Sequence, residues 1–140
     1  MSFTGHKALD EDDFYTSLVK NPQPVAVLDV GELYDGEKDA QKYFYIKYML
    51  CNTTQEQSVA YSVKYVDGIL IATEGSKLYP ILSFVSGIDD DEIHCTKQDI
   101  DEALDGKTFR MKAKKQKGKT AWYKIIPLKL LDEGVCNRAI

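Results

Sequence analysis

The chain has 140 residues, the length of one ordinary domain, and its 44% hydrophobic and 29% charged residues match globular averages. No apolar run approaches the roughly 20 residues that span a bilayer, and the composition excludes collagen-like and wholly disordered chains. The amino terminus lacks the basic-then-apolar order of a signal peptide. The cysteines Cys51, Cys95 and Cys136 are odd in number and have no CxxC spacing, so we expect a cytoplasmic protein without a disulfide framework or structural zinc.

The net charge of −4 conceals an uneven distribution along the chain. Residues 1–105 contain 8 basic and 20 acidic side chains, whereas residues 106–131 contain 9 basic and no acidic ones. Like charges at this density repel one another unless an anion approaches. Nearly all of the nine are lysine, whose compact ammonium lacks the fork with which arginine reads a base. The basic segment therefore favours contact with a phosphate backbone.

The first half of the chain predicts a short helix followed by strands. The spacing of Phe14, Tyr15, Leu18 and Val19 indicates the helix, which the prolines after Asn21 would end. β-branched and aromatic residues predict three strands, at residues 25–34, 43–50 and 58–66. Gly31 within the first strand indicates a bulge or a bend, and Asp67-Gly68 after the third is typical of a hairpin turn.

The second half predicts two helices and a hairpin. Apolar residues from Leu78 to Val85 recur at helical spacing, with Ser76 as the predicted cap and Gly87 as the predicted end. Thr96 and Asp99 form a capping arrangement for a second helix through residue 104, with Gly106 just beyond its end. Two further strands, at residues 108–115 and 121–130, enclose a turn at residues 116–119.

Five strands with one or two short helices predict a mostly β fold, which we interpret as a five-stranded Greek-key barrel of the OB type. Other small β-barrels give a similar pattern. We expect one domain over residues 1–140, with a helical or irregular segment at residues 1–22 and a short tail at residues 132–140.

Motifs for catalysis are incomplete. Neither Gly-Lys-Thr tripeptide, at residues 106–108 and 118–120, has the upstream glycine of a phosphate-binding loop. His94 beside Cys95 has no third group to orient it. The consecutive carboxylates of residues 89–92 would point in different directions, which disfavours a metal site. We therefore expect no enzyme, no cofactor and no metal, and a metal-assisted nuclease at residues 89–92 is the weakest alternative.

Strand alternation predicts which side chains face away from the core. It directs Phe44 and Tyr48 inward, and it groups Tyr43, Tyr45 and Lys47 on the opposite face. Aromatic rings stack on bases for roughly 1–3 kcal/mol each, while lysines displace counterions from phosphate. The side chains predicted to stack are Tyr43, Tyr45, Tyr61 and Trp122. The side chains predicted to contact phosphate are Lys47, Arg110, Lys112, Lys114, Lys115, Lys117, Lys119 and Lys124. The alternative is a β-barrel that docks its basic hairpin on an acidic partner or a neighbouring subunit.

Three stretches carry a family resemblance: Ser76-Lys77-Leu78-Tyr79-Pro80-Ile81-Leu82, Leu104-Asp105-Gly106-Lys107-Thr108-Phe109 and Gly118-Lys119-Thr120-Ala121-Trp122-Tyr123-Lys124-Ile125. They resemble the C-terminal half of small single-stranded DNA-binding proteins encoded by phages of low-GC Gram-positive bacteria. The resemblance implies an OB-fold that coats single-stranded DNA during replication or recombination in the host cytoplasm. Its implied partners are single-stranded DNA, phage or host replication and recombination proteins, and other copies of the chain. Bacterial relatives usually end in an acidic tail, which residues 134–140 do not resemble, so recruitment by that route is not expected.

Overall fold

The computed structural model describes residues 13–118, 122–132 and 134–137, which contain four helices and eight strands. The helices are α1 (Phe14–Lys20), α2 (Tyr79–Ser86), α3 (Lys97–Leu104) and α4 (Gly134–Asn137). The strands are β1 (Gln23–Val30), β2 (Tyr34–Asp35), β3 (Gln41–Leu50), β4 (Glu56–Val66), β5 (Ile69–Thr73), β6 (Glu92–Cys95), β7 (Thr108–Gln116) and β8 (Trp122–Leu131). Most of the predicted segment at 1–22, Lys119 and the end of the predicted tail lie outside the described residues.

The strands form one antiparallel sheet that curls into a half-barrel. Their order is β6-β5-β4-β3-β1-β7-β8, with β2 paired to β3 beside this path. The mostly β prediction is confirmed, but the predicted count of five strands is wrong, since three short strands were missed. One of them, β5, follows the predicted turn, where Asp67 and Gly68 both have positive φ, as a tight hairpin requires.

The first predicted strand, at residues 25–34, is divided into β1 and β2 in the structure, and β1 pairs with two neighbouring strands. Its beginning pairs with β7 and its later part pairs with β3, and a bulge lies between Val27 and Asp29. The strand ends at Val30, and the Gly31 amide donates to the Tyr45 carbonyl at 2.8 Å. A Cβ at Gly31 would lie 3.2 Å from that oxygen, so the glycine permits a close approach, and the bulge lies elsewhere.

The helix ends follow the predicted capping with one exception. In α3, the Thr96 hydroxyl accepts from the Asp99 amide at 3.1 Å, and the Asp99 carboxylate accepts from the Thr96 amide at 2.9 Å. Gly87 ends α2 with a φ of 74°, as expected. Ser76 does not cap α2, which begins after Leu78 because Pro80 fits only in a first turn. No helix within the described ranges has the length and apolarity needed to cross a bilayer.

The core fills the concave side of the sheet and lies under the first three helices. Phe44, Tyr48 and Phe109 are buried there, as predicted. At its centre the hydroxyls of Tyr48 and Tyr61 are 2.6 Å apart, and both side chains are fully buried. Burial raises the pKa of both phenols, so the pair is a neutral hydrogen bond.

We expect Tyr61→Phe to lower the free energy of unfolding by about 1–3 kcal/mol, because the buried Tyr48 hydroxyl would lose its partner. Tyr48→Phe should cost a similar amount. The double variant should cost clearly less than the sum, since neither hydroxyl then remains unsatisfied. Urea unfolding of the four proteins measures this coupling, and strictly additive losses would contradict it.

A disulfide joins Cys51, at the end of β3, to Cys136 in α4, with the Cα atoms 4.8 Å apart. The bonded pair packs on Ala26 and Met49, on the convex side of the sheet. The cysteine count and spacing argue against a disulfide framework, and this single bond was not predicted. Sequence spacing gave no sign of the bond, because the two cysteines are 85 residues apart and meet only when α4 folds back onto β1.

Candidate nucleic-acid interface

The strands β7 and β8, together with Lys117 and Gly118 directly after β7, form a surface that we call the basic hairpin. β1 pairs with β7 only from Thr108 to Met111, so the rest of the hairpin extends past the end of its neighbouring strand. Helix α1 supports this extension from the core side, where the Tyr15 ring stacks on Tyr123 at 4.7 Å. Burial is the main reason that the pKa of Tyr15 is raised. The hairpin is thus held by packing, and its other face is left to solvent.

Cross-strand register sets like charges against each other on this solvent face. Lys114 lies directly opposite Lys124, and Arg110 lies directly opposite Lys129. Directly opposed side chains have Cβ atoms about 4.5–5.5 Å apart, and like charges at that separation destabilise a sheet. Within the described ranges, no ion pair involves any of these four side chains. An approaching anion would relieve the repulsion.

Most of the predicted phosphate contacts belong to the basic hairpin. The exposed members are Arg110, Lys112, Lys114, Lys115 and Lys117. Lys124 is half-buried, and its ammonium lies 5.8 Å above the Trp122 ring, which confirms the prediction that the two share a face. Lys119 lies outside the described residues. Lys129 was not predicted, because its place opposite Arg110 depends on a register shift between Arg110 and Met111.

Three rings form a second surface on the convex side of the sheet, which we call the tyrosine cluster. It consists of Tyr34, Tyr43 and Tyr45, of which Tyr34 is 52% and Tyr45 is 44% exposed. The Tyr43 ring stacks on Tyr34 at 5.4 Å and meets Tyr45 edge-on at 6.0 Å. The residues opposite on β4 are small, with Ser62 paired to Tyr43 and Ala60 paired to Tyr45, so neither of these partners covers the rings.

Tyr34 was not predicted to bind nucleic acid. It lies in the two-residue strand β2, inside the segment that sequence reasoning assigned to a continuation of β1. The sequence does contain a signal for this strand, because Tyr34 lies between Gly31 and Gly36, a pattern that indicates a short strand between two bends.

Two of the cations beside the tyrosine cluster form ion pairs. Lys47 forms an ion pair with Glu56 at 3.0 Å, and Lys42 forms one with Asp35 at 2.7 Å. The hydrogen bond from Lys42 lowers the pKa of the Asp35 carboxyl. Exposed acidic residues also crowd this part of the surface, at positions 29, 32, 35, 37 and 39. The cluster therefore offers rings for stacking in a more acidic than basic part of the surface, and Lys47 is already paired with Glu56.

The two surfaces lie at opposite ends of β1. Tyr45 is level with Gly31, whereas Arg110 is level with Pro24. Seven residues of strand separate these levels, a contour of roughly 23 Å at ~3.3 Å per residue. The disulfide-bonded Cys136 covers Ala26 between them. The single predicted surface of rings and lysines is thus divided into a basic hairpin with Trp122 and a separate tyrosine cluster.

The assignment of Tyr61 as a stacking residue is wrong. Its side chain is 0% exposed because it shares the inward face of β4 with Val59 and Val63. Lys77 lies over its ring at 5.6 Å, and the Lys77 ammonium donates to the Ala60 carbonyl at 3.0 Å. Burial lowers the pKa of Lys77. The alternation of β4 already places Tyr61 on the apolar face, opposite Ser62 and Lys64, so this burial could have been predicted.

The alternatives for catalysis gain nothing from the geometry. Burial raises the pKa of the Cys95 thiol to about 11, which leaves it a poor nucleophile at neutral pH. The His94 imidazole forms a hydrogen bond at 3.0 Å with the carboxylate of Glu92, which lies two residues earlier on the same face of β6. Asp90 and Asp91 serve the fold through their backbone carbonyls. Within the described part of the chain, no group of three or more potential ligands could hold a metal ion.

Neither family models, nor curated proteins, nor solved structures yield a match to this chain. The candidate interface therefore depends on the register, exposure and charge of its own residues.

Proposed function

We propose that the protein binds single-stranded DNA through the basic hairpin, with little preference for sequence. The observation that carries this proposal is the pairing of Lys114 with Lys124 and of Arg110 with Lys129, with no carboxylate partner among the described residues, beside the partly exposed Trp122. Single-stranded DNA supplies both a chain of phosphates and unstacked bases. Lysine binds phosphate as a point charge and does not read bases, which favours sequence-tolerant binding.

We further propose that the sheet is an OB-type barrel extended by β2, β5 and β6. Five long strands lie in the order β4-β3-β1-β7-β8, and the bulged β1 is shared by β3 and β7. Helices α2 and α3 occur in the connection between β4 and β7. OB-folds bind oligonucleotides on the face of their second and third strands and on flanking loops. In this chain those parts correspond to the tyrosine cluster and the hairpin turn, so the cluster supplies further stacking groups.

The proposed setting is the host cytoplasm, where the protein would coat single-stranded DNA during phage replication or recombination. This role contains no chemical step and requires no cofactor. Its partners would be phage or host replication and recombination proteins. A reducing cytoplasm would keep Cys51 and Cys136 as thiols, so DNA binding should not depend on the disulfide.

The salt dependence of binding to a labelled oligo-dT strand tests this function. If five cations of the hairpin meet phosphate, the logarithm of the affinity should fall against the logarithm of salt with a slope of about −3.5, at ~0.7 per contact. An oligo-dA strand of equal length is the matched control for sequence tolerance. Absence of binding at low salt would eliminate the proposal, and a slope near zero would remove the phosphate contacts.

A further inference from the structure

A polar hollow lies beside the tyrosine cluster, between the loop that precedes β3 and the strands β3, β4 and β5. Its volume is about 300 Å³. Its walls include Lys38, Asp39, Gln41, Ser62, Lys64 and Ser76. Ser62 also pairs with Tyr43 across the sheet, so the hollow and the rings of the cluster adjoin each other.

The hollow carries an excess of positive charge. Lys38 and Lys64 are both exposed, and within the described ranges no ion pair engages either ammonium. They differ in this respect from Lys42 and Lys47, which are paired with carboxylates. Of the acidic residues that crowd the surface around the tyrosine cluster, Asp39 alone lines the hollow. Two unpaired cations thus face one carboxylate, so the hollow favours an anion.

Two hydroxyls of the hollow add hydrogen-bonding groups to these charges. The Gln41 side-chain amide donates to the Ser62 Oγ at 2.6 Å, so the proton of the Ser62 hydroxyl stays available to a ligand. The Ser76 Oγ is buried and has no hydrogen-bond partner among the described residues. Buried polar atoms almost always have a partner, so an unpartnered hydroxyl in the wall of a hollow points to a polar ligand there. Lysine and serine are among the side chains that bind the phosphates of nucleic acids.

The loop that forms one wall of the hollow is fixed on the sheet. The Gly36 amide donates to the Gln41 carbonyl at 2.9 Å, and the Tyr65 amide donates to the Ala40 carbonyl at 2.6 Å. A Cβ at Gly36 would lie 2.9 Å from the Gln41 side chain, so the close approach of the loop to β3 requires glycine. The hollow is therefore formed before a ligand arrives, which reduces the cost of ordering on binding.

We infer that this hollow binds a backbone phosphate of single-stranded DNA, next to the base that stacks on Tyr43. The inference rests on the proposed function and extends it, because it adds Lys38 and Lys64 to the phosphate contacts. Four residues of β3 separate Tyr45 from Gln41, a contour of roughly 13 Å at ~3.3 Å per residue, and they run away from the basic hairpin. A strand held by the hairpin therefore reaches the hollow only if it is long enough to pass the tyrosine cluster.

Binding of the full chain to two labelled oligo-dT strands tests this inference, one of ~16 nucleotides, the longest site of a single OB-fold, and one of ~6. Lys38→Gln with Lys64→Gln should weaken binding of the long strand about 25-fold at ~0.1 M salt and reduce its salt slope by about 1.4. Binding of the short strand, which the basic hairpin alone can hold, should change less than about twofold. The matched control is Lys77→Gln with Lys97→Gln, which removes the same charge from engaged lysines and should leave both strands within about twofold.

A change of the opposite sign locates the contact. Asp39→Asn should strengthen binding of the long strand by about twofold, because it removes the carboxylate that lines the hollow. Glu102→Gln, which removes the same charge from α3, is its control and should leave the affinity unchanged.

The outcomes separate this inference from the proposed function. Equal effects of the Lys38 and Lys64 variant and its control on the long strand would overturn the phosphate site in the hollow. The basic hairpin would then still be judged by its own Lys114 and Lys124 variant. A natural chain that binds neither strand at low salt would remove the proposed function, and the phosphate site in the hollow with it.

Discussion

Replacing Lys114 and Lys124 together by glutamine should weaken binding to oligo-dT by about 25-fold at ~0.1 M salt, with a slope reduced by about 1.4. Each lost phosphate contact removes a factor of about 5 at that salt, since the affinity scales with salt to the power of roughly −0.7 per contact. The two ammonium groups lie directly opposite each other on the solvent face of the basic hairpin. Fluorescence anisotropy of a labelled strand measures both quantities.

Lys114→Gln alone should be slightly more stable than the natural chain when DNA is absent, because it removes the like-charge pair and keeps the contact of Lys124 with Trp122. Removing a directly opposed pair of like charges should raise the free energy of unfolding by about 0.2–1 kcal/mol. Opposite signs for binding and stability would identify the pair as a functional feature and not a structural one. The matched control for the double variant is Lys77→Gln with Lys97→Gln, which carries the same net charge, removes cations that are engaged by Ala60 and Asp101 away from both surfaces, and should bind oligo-dT within about twofold of the natural chain. If the double variant and its control weakened oligo-dT binding equally, the hairpin lysines would contribute only through the net charge of the protein.

Reducing the bond between Cys51 and Cys136 should lower the free energy of unfolding by about 4 kcal/mol. The bond joins residues 85 apart in sequence, for which the chain-entropy estimate is ~4.6 kcal/mol, and the loss of a native disulfide typically costs ~2–5 kcal/mol. It also holds α4 against Ala26, and that packing would be lost with the bond. Urea unfolding with and without dithiothreitol measures the difference.

Cys136→Ser should reproduce the stability of the reduced protein and should no longer respond to dithiothreitol. Cys95→Ser is the control, because Cys95 is a free thiol and its variant should respond to the reductant as the natural chain does. Identical unfolding curves for the oxidised and reduced natural chain would contradict a stabilising role for the bond.

Much of the fold was predictable where the sequence has a strict local pattern. Strand β3 alternates without interruption and is buried on one side only, so Phe44 and Tyr45 were assigned to the correct faces. The Thr96 cap and the end at Gly87 were equally predictable, because their geometry is set by residues within one turn of helix. β7 followed the same rule, with Met111 inward and Lys112 outward.

The errors arose where distant parts of the chain decide the outcome. β6 has four residues beside an acidic run, and only its pairing with β5 makes it a strand. Tyr61 is a different kind of error, because it shares a face of β4 with Val59 and Val63, opposite Ser62 and Lys64, so the strand pattern already indicated its burial. Cys136 meets Cys51 because α4 folds back onto the sheet, and no local sequence pattern indicates that contact.

The candidate interface was predicted in its parts but not in its arrangement. Alternation placed Tyr43 outward on β3 and Lys112 outward on β7, and both assignments hold. Alternation could not show how far apart these side chains lie. The bulged strand β1 lies between β3 and β7, and it places Tyr45 level with Gly31 but Arg110 level with Pro24. The alternation of a strand predicts which face of the sheet a side chain is on, whereas the distance between side chains on different strands depends on how the strands pair.

Titration of the protein with oligo-dT at low salt, followed by the emission of its one tryptophan, tests the central claim most directly. The claim is that Trp122 and the lysines around it form the surface that contacts DNA. It predicts a saturable change in Trp122 emission at the same DNA concentrations that change the anisotropy of the labelled strand, shifted to higher DNA in the Lys114 and Lys124 variant. Binding of the labelled strand with no change in Trp122 emission would contradict the claim.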